Sequence, residues 1–295
     1  LGKFFGLRSL LGGLLAFGAG FGVQRILGSG SGIAFPNNYA LIFAVGAVLM
    51  MLALGVFWTV RDTPRKSAKR VLPLRLHIAR GMRMIRENTN LRRLGIARAL
   101  YGVALGLSFP FVVPYAMNVW GMPAALAGIL LSVKVLSFSL SNVLWSTISD
   151  RLGNRLLLTI IAGVALLVPA ATILSGMLSD VAMGQVLGVT VTPQFLAAAV
   201  ACMCVGGAMS GCPLGCNAML LEMLPDRGTS VFIGFFFLMI LPTAAVPLAG
   251  AVIIGAQNRF GIGMALAAVA GVLMLVQIRR LERVREPDEE QTEGS

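Results

Sequence analysis

The chain has 295 residues, of which 57% are hydrophobic and only 12% are charged. Such a composition leaves too little polar surface for a soluble body, and it excludes a soluble globular domain. The net charge of +12 would suggest a nucleic-acid partner in a soluble protein, but here the charges stand between and beyond long apolar runs. We therefore predict an all-α, polytopic membrane helix bundle with no nucleic-acid partner, because helices satisfy their own backbone groups in lipid.

Eight transmembrane helices are predicted in chain order, since a helix of about 20 apolar residues crosses the hydrocarbon core. The first covers residues 8–28 and is rich in glycine, which lets a neighbouring helix approach closely. In the third, Pro110 and Pro114 are expected to kink the helix or open it locally. The remaining spans are predicted at residues 39–60, 94–118 (the third), 124–147, 156–177, 194–221, 229–256 and 260–278.

The second and third spans are separated by a strongly basic segment, residues 61–93, which holds eleven Lys and Arg against two acids. We predict a cytoplasmic loop with an amphipathic helix that contacts anionic lipid. The positive-inside rule then places both termini in the cytoplasm. The tail at residues 280–295 is expected to be disordered, and the location is expected to be a bacterial plasma (inner) membrane.

Two charged turns carry a family resemblance. Residues 150–155 read D-R-L-G-N-R, which fits the D-R-x-G-x-R pattern of the major facilitator superfamily, between helices two and three and again between eight and nine. Ser146 replaces the glycine that usually stands four residues before the Asp, a departure common in the second copy. Residues 222–228, E-M-L-P-D-R-G, similarly resemble the E…P…R-G element that follows helix four or ten.

The resemblance implies a fold of twelve helices in two six-helix halves joined by one long cytoplasmic loop. Here that loop follows two predicted spans and precedes six, so the chain is expected to match helices five to twelve and to be truncated at its N-terminus. Residues 1–60 would then end the N-terminal bundle, and residues 94–279 would form the six-helix C-terminal bundle. The expected function is transmembrane transport of a small solute by an alternating-access secondary transporter, without a cofactor and as a monomer.

Lys134 is the one charged residue predicted well inside a span, and charged groups at membrane depth mark functional sites. Helical spacing puts Ser137 and Ser141 on its face, so these three are predicted to line a central cavity. If Lys134 contacts the solute, an anionic or carbonyl-bearing compound is favoured. Further cavity candidates are Tyr101, Ser108 and Tyr115, which recur every seven residues, together with Asn142 and Asn217. Packing of these side chains against neighbouring helices is the alternative.

The charged turns are predicted to form a cytoplasmic gate. Asp150 is expected near a helix N-terminus of the other half, where the helix dipole favours an anion. Arg151 or Arg155 is expected to pair with Glu222 and to hold the cytoplasmic side shut in one state. The full set of gate residues is Asp150, Arg151, Gly153, Arg155, Glu222 and Arg227.

Two other functions stay open. Cys212 and Cys216, spaced four residues apart with Met209 and Met219 nearby, would suit a soft metal such as Cu(I), and hence a copper transporter. Packing of small polarizable side chains is the better explanation, and no metal site is predicted. A complete eight-span membrane enzyme or assembly factor is the other alternative. The spans carry no His, Asp and Glu cluster of the kind that catalysis needs, so no enzyme activity is expected.

Overall fold

The computed structural model of the chain describes residues 11–13, 15, 18–19, 22–23, 25–26, 32–33, 36–59, 83, 87–123, 125–186, 189–223, 229–255 and 258–281. Helices cover most of these positions. In chain order they are α1 (Asn37–Trp58), α2 (Thr89–Ser108), α3 (Val112–Val119), α4 (Ala125–Leu152), α5 (Asn154–Met177), α6 (Pro193–Met223), α7 (Thr229–Ile240), α8 (Val246–Ile254) and α9 (Phe260–Arg279).

The chain is a helical membrane protein with seven candidate membrane spans among the described residues. They are Asn37–Trp58, Thr89–Val119, Leu126–Leu152, Asn154–Met177, Pro193–Met223, Ile233–Ile254 and Phe260–Arg279. These spans confirm the second to eighth predicted spans, with ends that differ by a few residues. The described positions between 11 and 26, in the predicted first span, are helical, and the other positions of that span lie outside the described residues.

Two predicted segments are described only in small part. In the basic segment, Arg83 and Glu87 are helical, and the Arg83 Nε donates a hydrogen bond to Glu87 Oε1 at 2.8 Å. This bond raises the pKa of Arg83, and the four-residue spacing is the one expected for a pair on one helix face. The tail predicted to be disordered lies outside the described residues beyond residue 281.

Two spans are broken inside the membrane. The 3-10 segment Phe109–Phe111 separates α2 from α3, because Pro110 has no N–H to donate to the carbonyl four residues before it. This break confirms the predicted interruption near Pro110. A second 3-10 segment, Leu241–Ala245, holds Pro242 and separates α7 from α8. The sequence analysis did not predict this second break.

Helix α6 packs along both α4 and α5, and glycines make this close contact possible. A Cβ atom built on Gly206 would lie 2.3 Å from the backbone oxygen of Lys134. A Cβ atom on Gly211 would lie 2.3 Å from Ile161 Cδ1, and one on Gly215 would lie 3.0 Å from Leu158 Cδ2. Small residues at membrane helix interfaces let backbones approach closely, which gains van der Waals contact where lipid supplies no hydrophobic drive.

The two broken spans lie against each other, again through glycines. Cβ atoms built on Gly102 and Gly106 of α2 would lie 2.7 Å from Thr243 Oγ1 and 2.9 Å from Val246 Cγ1. A Cβ atom built on Gly250 of α8 would lie 2.8 Å from Phe111 Cε2, in the 3-10 segment that follows α2. The two spans run parallel, so that Phe109–Phe111 lies near Gly250 and Leu241–Ala245 lies near Gly102, while α9 packs against α2 and α5.

A small β-hairpin modifies the all-α prediction. Gly184–Val186 and Val189–Val191 pair as antiparallel strands, with Gln185 opposite Thr190. They stand in the connection between α5 and α6, where β-branched residues favour an extended chain. No strand was predicted there.

Two arginines at one end of the bundle bond to the C-terminus of α9. Arg93 donates to the carbonyl oxygen of Arg280 at 2.5 Å, and Arg155 donates to that of Arg279 at 2.6 Å. These bonds cap the C-terminus of α9 with cations, as the helix dipole favours, and they bring the starts of α2 and α5 to the same end. At the other end Tyr115 of α3 stacks edge-on with Phe260 of α9, beside the C-terminal end of α5.

We predict that Gly206→Ala destabilises the bundle. Its Cβ atom would meet backbone atoms of α4, so the helices must separate, at a cost of about 1–3 kcal/mol. The midpoint of detergent or thermal unfolding of the purified chain measures this change. Gly163→Ala in α5 is the matched control, because nothing lies within 4 Å of its Cβ position, and it should stabilise by about 0.5–1 kcal/mol. Equal midpoints for the two variants would contradict the close α4 to α6 contact.

Candidate functional site

Lys134 lies in the middle of α4, half-buried, with its ammonium group over an aromatic ring. The Nζ atom is 4.6 Å from the centroid of Phe109, the first residue of the break between α2 and α3. The only ion pair among the described residues joins Arg83 to Glu87, so no described carboxylate pairs with Lys134. The cation therefore faces an aromatic quadrupole rather than an opposite charge.

The free energy of this cation–π contact bears on the role of Lys134. Placing a lysine at membrane depth costs about 2.5–3.5 kcal/mol on insertion scales. A cation–π contact returns about 0.5–1 kcal/mol when exposed and about 2 kcal/mol when desolvated. The Phe109 ring thus offsets only part of the cost, and Lys134 retains the capacity to stabilise a negative charge.

Ser137 and Ser141 share the face of α4 that packs on α6, next to Lys134. The Ser137 hydroxyl donates to the carbonyl oxygen of Met203 at 2.7 Å. The Ser141 hydroxyl lies 2.6 Å from the carbonyl oxygen of Ser137 and 2.7 Å from the Ser210 hydroxyl. Both predicted cavity hydroxyls are thus engaged in contacts within and between helices, as in the packing alternative.

The backbone of α6 accepts further hydrogen bonds from both sides. Trp145 of α4 donates its indole Nε1 proton to the carbonyl oxygen of Gly207 at 2.8 Å. Tyr101 of α2 donates its hydroxyl proton to the carbonyl oxygen of Ala208 at 2.7 Å. Side chains of two helices therefore meet on one stretch of α6, which fixes their depth relative to one another.

The three residues that recur every seven positions in α2 and α3 are buried, and none of them is exposed to an open cavity. Tyr101 is 4% exposed, Ser108 is 0% exposed and Tyr115 is 8% exposed. Ser108 donates to the carbonyl oxygen of Ala104 in its own helix at 2.7 Å. Tyr115 donates to the carbonyl oxygen of Ile173 in α5 at 3.2 Å. The two tyrosines reach different helices, because the break at residues 109–111 separates them.

The weaker candidates differ from each other. The Asn142 side chain donates to the carbonyl oxygen of Phe138, one turn earlier in α4, at 2.9 Å. Asn217 is an exposed residue of α6. Neither one is brought next to Lys134 by a described hydrogen bond.

Arg98 is half-buried beside Tyr101 on α2, and the Cys212 and Cys216 thiols are buried in α6. The Arg98 guanidinium carbon lies 4.9 Å from the Tyr101 ring centroid. The Sγ atoms of Cys212 and Cys216 are 3.7 Å apart. Among the described residues, no third His, Cys, Asp or Glu joins this thiol pair.

The turn between α4 and α5 is a single residue, Gly153, with φ +86° and ψ 156°. This conformation is essentially restricted to glycine, which gives a physical reason for glycine at this position. The first residue after the turn, Asn154, is 7% exposed and joins three helices. Its Oδ1 accepts from the Ser149 hydroxyl of α4 at 2.6 Å, and its Nδ2 donates to Glu222 Oε1 of α6 at 2.5 Å.

Among the described residues of this structure, Glu222 makes no ion pair with Arg151 or Arg155, and the predicted pairing in one transport state stays a prediction. Glu222 accepts from a neutral amide, and Arg155 reaches the end of α9 instead, since its side chain extends across the bundle to the Arg279 carbonyl. Asp150 and Arg151 are exposed. Arg227 and the helix expected to face Asp150 lie largely outside the described residues.

Several residues of these networks were not among the predicted site residues, including Phe109, Trp145, Asn154 and Ser210. The sequence could have marked Trp145 as a hydrogen-bond donor between helices, because an indole N–H inside a membrane span needs an acceptor. Asn154 occupies a variable position of the D-R-x-G-x-R pattern, so the pattern itself does not mark it. Phe109 and Ser210 depend on helix pairing, which the one-dimensional pattern does not specify.

No protein-family model matches the chain, and searches of curated proteins and of solved structures likewise found no match. The site therefore has to be interpreted from its own geometry.

We predict that Asn154→Ala destabilises the bundle by about 1–3 kcal/mol, because it leaves a charged acceptor and a hydroxyl without their partner. Thermal unfolding of the purified chain in detergent measures the effect. Asn142→Ala provides the control, since Asn142 bonds only within its own helix, and its loss should cost less than about 0.5 kcal/mol. A larger loss for Asn142 than for Asn154 would argue against the three-helix junction.

Proposed function

We propose that this chain is the membrane-embedded part of a secondary transporter, which moves a small solute by alternating access. The observation that carries the proposal is that two spans packed against each other each contain a 3-10 interruption, at Phe109–Phe111 and Leu241–Ala245. Helices interrupted inside the membrane are typical of transporter binding sites, because their interrupted backbones offer polar groups at depth.

Lys134 is a second observation that supports the same function. Its ammonium group reaches the first residue of one break, and its membrane insertion cost is only partly offset there. A bundle that served only as a scaffold would gain stability from an apolar residue at this position. Binding of a solute that stabilises the cation would account for a lysine at this position.

The family proposal, a major facilitator superfamily transporter, rests on the D-R-L-G-N-R turn. Gly153 adopts the positive φ that this turn needs, and the turn connects α4 directly to α5. The spans from Thr89 onward pack as one bundle, whereas none of the apolar window of α1 is buried by the described residues. This difference supports a boundary between an N-terminal part, residues 1–60, and a six-helix C-terminal part.

The proposed orientation rests on charge. Arg92, Arg93, Arg151, Arg155, Arg279 and Arg280 lie at one end of the bundle, and Asp180 and Arg259 lie at the other. Under the positive-inside rule the arginine-rich end faces the cytoplasm of a plasma membrane and contacts anionic lipid.

The transport proposal is tested by counterflow. The product of the complete reading frame is reconstituted into vesicles preloaded with each member of a solute panel of carboxylates, amines, sugars and amino acids. Saturable exchange of labelled against unlabelled solute is expected for at least one class. No exchange with any class would count against an alternating-access carrier.

We predict that Pro110→Ala and Pro242→Ala slow this exchange by about tenfold, equivalent to about 1.4 kcal/mol in the barrier. Each variant restores a backbone N–H and straightens a break, so the unfolding midpoint should rise while exchange slows. Pro169→Ala is the control, because Pro169 stands inside the continuous helix α5. An unchanged exchange rate in both break variants would show that the breaks do not move during transport.

A further inference from the structure

We infer that Lys134 is the anion receptor of the proposed transport site, and that the solute is a small organic monocarboxylate with an apolar body. This inference rests on the proposed function and names its substrate class. Its starting point is the contact between the Lys134 ammonium and the Phe109 ring, with no described carboxylate paired to the cation. A carboxylate is the natural competitor for a cation held this way, because charge-assisted hydrogen bonds are stronger than neutral ones.

The single positive charge of Lys134 limits the negative charge that the solute can carry. The Lys134 ammonium stands over the Phe109 ring and can balance one negative charge there. A second negative charge on the solute would stay uncompensated at membrane depth, which disfavours dicarboxylates and phosphate esters.

The neighbours of Lys134 set the character of the rest of the solute. Phe109 presents an aromatic ring to the ammonium. The hydroxyls of Ser137 and Ser141 are engaged in contacts with α4 and α6. A polyhydroxylated solute such as a sugar would find these donors occupied, whereas an alkyl or aryl body packs against the ring.

Phe109 also links binding to movement. It is the first residue of the 3-10 break, so a carboxylate that draws Lys134 away removes one contact between α4 and the break. The resting state keeps the cation on the ring, and the loaded state transfers it to the solute. Such exchange of partners lets a ligand bias a two-state element through its differential contacts.

The test measures binding of benzoate to the full chain in lipid nanodiscs by calorimetry. Benzamide is the neutral probe of the same shape, phthalate is the dianion, and butyrate with butyramide repeats the comparison without an aromatic ring. We expect benzoate and butyrate to bind at least about tenfold more tightly than their amides, because the amide loses a charge-assisted bond. Phthalate is expected to bind more weakly than benzoate.

Variants separate the receptor role from a structural one. Lys134→Met should abolish the preference for carboxylate over amide, and Lys134→Arg should retain it. Phe109→Leu should tighten butyrate binding by about 2-fold to 30-fold, since it removes the competing contact of Lys134 and leaves an apolar side chain for the alkyl body. A merely structural lysine would not make the ring variant bind more tightly.

The inference is overturned if carboxylate and amide bind equally, if no probe binds, or if Lys134→Met binds benzoate as the unchanged chain does. Failure of the transport proposal is distinguishable. Charge-selective binding without counterflow would leave the receptor intact and remove transport. Counterflow of a neutral solute that Lys134→Met leaves unchanged would keep transport and remove the receptor.

Discussion

The close contact of α6 with α4 and α5 is the constraint on which the rest of the bundle depends. In lipid, apolar side chains gain little by leaving one apolar environment for another, so helices associate through dense packing and hydrogen bonds. Gly206 and Gly211 supply the packing, because any Cβ atom there would meet the neighbouring helix. Tyr101, Ser137 and Trp145 supply the hydrogen bonds, and all three donate to carbonyl oxygens of α6.

This arrangement divides the polar groups of the interior into two kinds. Most hydroxyl groups, such as those of Tyr101 and Ser108, are fully used by backbone carbonyl oxygens and therefore stabilise the fold. Lys134 is different, because the Phe109 ring returns only a part of what its charge costs. Among the described residues, the buried polar atom without a hydrogen-bond partner is Trp120 Nε1. Lys134 is the stronger candidate for a ligand contact, because it carries a charge. The neighbouring break supplies the element that such a ligand could move.

The arginine-rich end of the bundle uses charge differently from its predicted gate. Arg155 and Arg93 cap the C-terminus of α9, while Asn154 links α4, α5 and α6 through hydrogen bonds. A neutral amide bonded to Glu222 is a weaker lock than an arginine would be. A lock of moderate strength would suit the proposed alternating-access cycle, in which this end of the molecule opens and closes.

The amino-acid sequence by itself determined the membrane location, the seven described spans and the break near Pro110, because apolar length and missing N–H groups are local properties. It also placed Lys134, Ser137 and Ser141 on one face, since helical spacing is local too. Only the tertiary structure decided what those side chains meet. Phe109, Ser210 and the partner of Glu222 come from other helices, and many pairings satisfy the same apolar pattern. Glycine positions and buried hydrogen bonds select one pairing, and these depend on three-dimensional contact rather than on order along the chain.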